Sequence, residues 1–211
     1  IAEAQDDIEV GDSKAALDKL KKACKESPGF IPAAVRLGKM HIANGARRAA
    51  VSVIEKTWKH NPHPEMAALW GDVMPSRSEA KMTSRLKWFE RLIKLNPQSD
   101  LAYIANAQEC INQKLWGKAR SHLETALSIK PSVSAYRVFT ALELQSGAGE
   151  SAAQEWREKL VNAAPDACWV CTQTGRIYPQ WHWTAQPHGS FNTIVWDTPT
   201  QSASGMQELF S

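Results

Sequence analysis

Proline recurs in this chain at Pro28, Pro62, Pro97, Pro131 and Pro165, at intervals of 34, 35, 34 and 34 residues. Its ring fixes φ and removes an amide donor, so each proline marks a place where a helix stops or starts. Other positions keep step with the prolines. Twelve residues before them stand Ala16, Ala50, Ala119 and Ala153. Eight before come Leu20, Ile54, Phe89 and Leu123, with Arg157 breaking the rule in the last interval. Five before come Ala23, Thr57, Leu92, Ala126 and Leu160. A helix that sets small and then large residues along one face is built to pack closely on a second helix. Turn residues at Gly11-Asp12, Asn44-Gly45 and Gly147-Ala148-Gly149 divide the intervals into pairs of helices.

The period and its small-then-large pattern resemble the tetratricopeptide (TPR) unit, two antiparallel helices closed by a proline turn. The expected fold is all-α, a TPR superhelix (an α-solenoid) of about 4.5 units over residues 1–165. Its units run 1–28, 29–62, 63–97, 98–131 and 132–165. The third is irregular: Met74-Pro75-Ser76-Arg77-Ser78 replaces a tight turn, and Ser78 is placed to cap a helix running from about Glu79 to Leu95. Beyond Pro165 the character changes. Residues 168–196 hold four of the nine tryptophans in short aromatic and β-branched runs separated by Gly and Pro, which predicts three strands. Residues 166–197 are therefore read as a small three-stranded β cap for the last helix pair, held mainly by Trp169, Trp181, Trp183 and Trp196. Residues 198–211 read as a polar tail.

The formal net charge is +3, with 25 Lys and Arg interleaved among 22 Asp and Glu, so composition carries no nucleic-acid signature. The four cysteines are dispersed and suggest no secreted disulfide framework. Cys24 and Cys110 fall on predicted helices as small buried thiols. No apolar run reaches the ~18 residues that would span a bilayer. The chain opens on Ile1 inside a first-helix pattern, which predicts a fragment of a longer protein with targeting signals upstream.

Three stretches together are similar to the HemY family, bacterial TPR proteins associated with heme biosynthesis. They are His63-Pro64-Glu65-Met66-Ala67-Ala68-Leu69-Trp70, Leu115-Trp116-Gly117-Lys118-Ala119-Arg120, and Trp169-Val170-Cys171 with Phe191-Asn192-Thr193-Ile194-Val195-Trp196. The resemblance covers about residues 1–197. It implies an inner-membrane anchor upstream, a TPR region on the cytoplasmic side of the bacterial inner membrane, and heme-biosynthetic enzymes as partners. In some relatives the terminal module resembles a rubredoxin-like zinc ribbon with two Cys-x-x-Cys-Gly knuckles. Carried onto this chain, Cys171 keeps the first ligand place and the other three fall on Thr174, Ala185 and His188. Thr and Ala are not zinc ligands. The resemblance therefore implies a degenerate ribbon that has lost its metal, and no cofactor.

A rival set, Cys168, Cys171, His182 and His188, has the right atoms for tetrahedral zinc and would make the chain a metal-dependent regulator. Its weakness is that Cys168 and Cys171 flank Trp169-Val170 on a predicted strand, where residues three apart face opposite ways. A redox dithiol at the same pair meets the same objection. His60 and His63 straddle the Pro62 turn and read as solvated, whereas His41 is expected to pack between helices. Arg77, Lys81 and Arg85, with Lys87, Arg91 and Lys94 beside them, form basic rows that read as a solvated helix face or as a surface for acidic lipid.

Partner binding is expected on the concave side. There the fifth first-helix position is Val35, Leu69, Ile104 and Val138, and the ninth is Lys39, Val73, Gln108 and Leu142. These predict an apolar groove with two polar handles, suited to an amphipathic helix or an extended apolar peptide. No Ser-His-Asp set, paired carboxylates or phosphate-cradling glycine loop can be placed on these helices, so no enzyme is expected.

Overall fold

The computed structural model describes residues 4, 12–74 and 82–199. Ser78, Arg77, Lys81, Gly11 and the tail from residue 200 onward lie outside the described residues. Two compact units divide the chain, residues 1–162 and 163–211.

The first unit is helical. Among the described residues it contains α1 (Ser13–Glu26), α2 (Ile31–Ala43), α3 (Arg47–His60), α4 (Pro64–Asp72), α5 (Met82–Leu95), α6 (Asp100–Asn112), α7 (Trp116–Ile129), α8 (Val133–Ser146) and α9 (Glu150–Val161). Successive helices pack as hairpins, and each hairpin leans on the next through contacts of α2 with α4, α3 with α5, α4 with α6 and α6 with α8. This is a TPR-like solenoid. Its caps follow from local chemistry: Asp12 accepts from the Ala15 N–H at 3.0 Å, and Ser132 accepts from the Ala135 N–H at 3.2 Å. Gly147 ends α8 at φ +83, a left-handed conformation that glycine adopts at no steric cost.

The proline-keyed pattern is the core. Ala16, Ala50, Ala119 and Ala153 are all fully buried, as are Leu20, Ile54 and Leu123. Phe89 and Leu92 are buried in the third unit, and the exception Arg157 is half-buried and paired with Glu150. Cys110 is buried with Ala107, Ile111, Leu123, Phe139 and Leu142 in one cluster.

The second unit differs from the three expected strands. It holds β1 (Cys168–Cys171), β2 (Ile177–Tyr178), β3 (Thr184–Ala185), β4 (Ser190–Phe191) and β5 (Ile194–Asp197). An antiparallel sheet in the order β2-β1-β5 stands beside a separate β3-β4 hairpin. Residues 179–183 form no strand. The run 189–196 is broken at Asn192, whose φ of +54 turns the chain so that its halves join different sheets. Trp169 pairs with Trp196 across β1 and β5, their rings edge-on at 5.1 Å. The Trp181 indole N–H reaches the Ile194 carbonyl at 3.1 Å.

Candidate functional site

The predicted groove floor is largely interior. Val35, Leu69, Val73 and Leu142 are buried, at 6%, 3%, 3% and 0% exposure. Ile104 and Val138 are half-buried, and only Lys39 and Gln108 are exposed. Packing explains each departure. A methyl group added at Gly38 would stand 3.2 Å from Leu69 Cδ1, so the missing side chain on α2 is the socket into which α4 sets its leucine. Val73 falls after the end of α4 at Asp72. Leu142 fills the cluster around Phe139. A groove of six aliphatics and two polar handles is thus corrected to two half-buried aliphatics and the two handles.

An open cavity of about 800 Å3 lies instead at the start of α3, lined by residues 45–49, Val51 and Trp88. Arg47 and Trp88 in its lining are the near end of a stack in which two indoles lie between two guanidinium groups. Trp70 and Trp88 lie parallel at 4.3 Å, and each indole N–H donates to the other's carbonyl oxygen at 3.0 Å. The Arg47 guanidinium sits 5.5 Å from the Trp88 ring centre while its Nε donates to the Val73 carbonyl. Arg91 approaches Trp70 at 5.9 Å and pairs with Glu55. The concave-position reading missed this site. Its signal was Arg47-Arg48 directly after the Gly45 turn, where a helix start usually carries Ser, Thr, Asp or Glu.

The basic rows also change meaning. Arg85 is not a free surface cation: it forks onto the buried Glu109 carboxylate at 2.8 and 3.2 Å, and Gln113 completes the group. A second buried carboxylate, Glu143, recurs twelve residues after its proline as Glu109 does, accepting from Arg120 at 2.8 Å and from the Trp156 indole at 3.2 Å. Each pair ties the second helix of one hairpin to the first helix of the next.

The histidines divide. His41 is buried and His60 exposed, as expected. His63 departs from the solvated reading, being fully buried at the N-terminus of α4, where its Nδ1 accepts from the Glu65 N–H at 3.2 Å. Burial pushes its pKa down to about 4.

In the second unit, Cys168 and Cys171 lie on β1, half-buried and buried, and both are free thiols. His182 is half-buried beside Gln180, and His188 is exposed. Among the described residues, no three of His, Cys, Asp or Glu are gathered to hold a metal ion. The two turns that the ribbon resemblance singled out do share a closure: Gly175 donates to the Cys171 carbonyl at 2.8 Å and Gly189 to the Ala185 carbonyl at 2.9 Å, with φ +69 and +70. Burial raises the Cys171 pKa, but hydrogen bonds from Thr174, Thr193 and the backbone at residues 173 and 174 outweigh it and bring the thiol down to about 7. Cys24, by contrast, is pushed up to about 11 by burial alone.

No helix among the described residues is long and apolar enough to cross a membrane. Comparison with known proteins matches residues 7–71 to the tetratricopeptide repeat family. The chain is 24% identical over 191 residues to the probable magnetosome protein Mms48 of Magnetospirillum gryphiswaldense, covering 88% of this chain and 41% of that protein. It thus spans less than half the length of that relative. Among solved structures, MamA from Desulfovibrio magneticus RS-1 is 17% identical with a TM-score of 0.46, covering 75% of this chain and 89% of its own. A thermophilic TPR protein of Thermus thermophilus is 16% identical with a TM-score of 0.48, covering 78% and 89%. Residues 7–71 therefore carry the tetratricopeptide repeat, and the hairpins that follow, as far as Val161, continue its helix-turn-helix plan.

Proposed function

We propose that the chain is a non-catalytic scaffold whose helical unit holds a protein or peptide partner. The observation that carries this reading is the open cavity beside Arg47 and Trp88 on a repeat array whose small residues are otherwise closely packed. The Trp88 indole, fixed by its stack on the buried Trp70 and by reciprocal hydrogen bonds, presents contact area with little ordering cost. Lys39 and Gln108 remain as exposed polar positions on a second candidate surface. On the HemY resemblance we place the partner among late heme-biosynthetic enzymes, with the scaffold held at the cytoplasmic face of the bacterial inner membrane by a region upstream. The similarity to Mms48 over most of the chain favours a second setting, in which the same scaffold serves a magnetosome.

The test is affinity capture by the purified chain from solubilised host membranes, followed by reciprocal capture with the protein so identified. A discrete partner recovered in both directions is the expected result. Retention of nothing beyond a resin control would overturn the scaffold reading. Heme-biosynthetic enzymes in the eluate would favour the first setting, and magnetosome membrane proteins the second.

A further inference from the structure

The cavity at the start of α3 has a chemistry that narrows its guest. Among its described lining residues two are arginines, none is acidic, and the remainder are Gly, Ala, Val and Trp. Arg47 is held in position on both sides: its Nε is committed to the Val73 carbonyl and its plane lies over Trp88. Trp88 is itself fixed by its bond to the Trp70 carbonyl and by the Trp70 ring. The guanidinium keeps further N–H donors for a planar acceptor such as a carboxylate. Arg48, next to it, is exposed and makes no ion pair with a described residue.

Both cations occupy the first turn of α3, which contains no acidic residue and no capping side chain. Cations are disfavoured at this end of a helix, whose exposed N–H groups carry partial positive charge. An anionic guest in the cavity would offset that penalty, whereas a neutral one would leave it standing.

We propose that this cavity is the docking site for an acidic segment of a protein partner, its carboxylates meeting Arg47 and Arg48 and an apolar side chain lying on Trp88. The proposal rests on the scaffold reading and adds the chemistry of the guest. A polypeptide fits better than a nucleic acid, because the apolar lining of Ala and Val offers bases nothing to stack on beyond one indole, and the chain's net charge is only +3.

The experiment uses the purified full chain and four fluorescent probes: a ten-residue peptide alternating Glu and Leu, the same peptide with Gln or with Lys for Glu, and a single-stranded oligonucleotide. Binding is measured at low and high salt for the wild type, R48E and R48K. Arg48 is exposed and lies in the first turn of α3, so R48K should melt as the wild type does and R48E no lower. The expected result is binding of the Glu peptide at least about tenfold tighter than the Gln peptide, weakened by salt, about tenfold weaker in R48E and retained in R48K. Equal binding of the Glu and Gln peptides, no effect of R48E, no binding of any probe, or preference for the oligonucleotide would each overturn it. So would R48E-sensitive self-association in sedimentation, which would make a second copy the occupant. Repeating the affinity capture with R48E separates the two readings. A partner retained equally by wild type and R48E leaves the scaffold standing without this site; no partner for the wild type removes the scaffold.

Discussion

Acidification should loosen the helical unit, and the part carried by His63 can be isolated. The imidazole is fully buried at the N-terminus of α4, and its Nδ1 accepts from the Glu65 N–H. That bond requires an unprotonated Nδ1, so protonation both breaks the cap and places a charge in the interior. A folded pKa depressed from 6.5 to about 4 means that the unfolded chain binds the proton more readily than the folded one. The stabilisation is therefore complete above about pH 6.5 and is lost as pH falls toward 4. The loss amounts to about 2 kcal/mol at pH 5 and about 3 kcal/mol at pH 4. Carboxylates also titrate over the lower part of this range, so the comparison should be with His63→Asn, which keeps a capping oxygen and removes the titration. Urea unfolding of both proteins, followed by circular dichroism near pH 7.5, 5 and 4, isolates the histidine as the change in their difference. The wild type should lose about 3 kcal/mol relative to His63→Asn across the series. A difference that stays constant with pH would refute the reasoning, since it would mean that the imidazole is hydrated or already protonated in the fold.

Glu109→Ala should cost about 3–5 kcal/mol, because it strands the mostly buried Arg85, while the combined Glu109→Met and Arg85→Leu replacement should recover most of that loss in the same unfolding assay. Trp196→Ala should destabilise the second unit by about 2 kcal/mol through loss of its edge-on contact with Trp169, read as faster protease cleavage within residues 168–197. Metal analysis of the purified chain should give far less than one equivalent of zinc, unchanged in Cys171→Ser. One equivalent lost in that variant would revive the regulator.

The stride of the hairpins was legible because it is written in covalent order. Prolines recur at helix ends, and the residues twelve and eight before them must be small and large wherever two helices touch. Exposure along the first helices was not legible in the same way. Whether Leu69 faces a groove or a neighbour depends on how closely α2 and α4 approach, and the glycine that permits the approach, Gly38, lies a full unit away in sequence. Arg85 illustrates a related blindness. It occupies the place that alanine takes in four other units, but its meaning comes from Glu109 across the hairpin boundary. The histidine at position 63 looked like a turn residue because it lies between two prolines, and only packing shows that the turn itself is buried. In the β unit, aromatic and β-branched runs marked where extended chain would form. Strands of two residues, however, take their partners from single backbone conformations such as that of Asn192, which composition does not encode.

Site-specific photo-cross-linking in the host, walking a benzophenone side chain over Ala49 at the cavity, Lys39 and Gln108 on the first helices, and Ser121 and Glu155 as exposed positions elsewhere, probes the claim of partner holding most directly. The account predicts a discrete adduct from Ala49, with or without adducts at Lys39 and Gln108, and none from Ser121 or Glu155. Adducts at none of the five positions, or the same adducts from all of them, would contradict it.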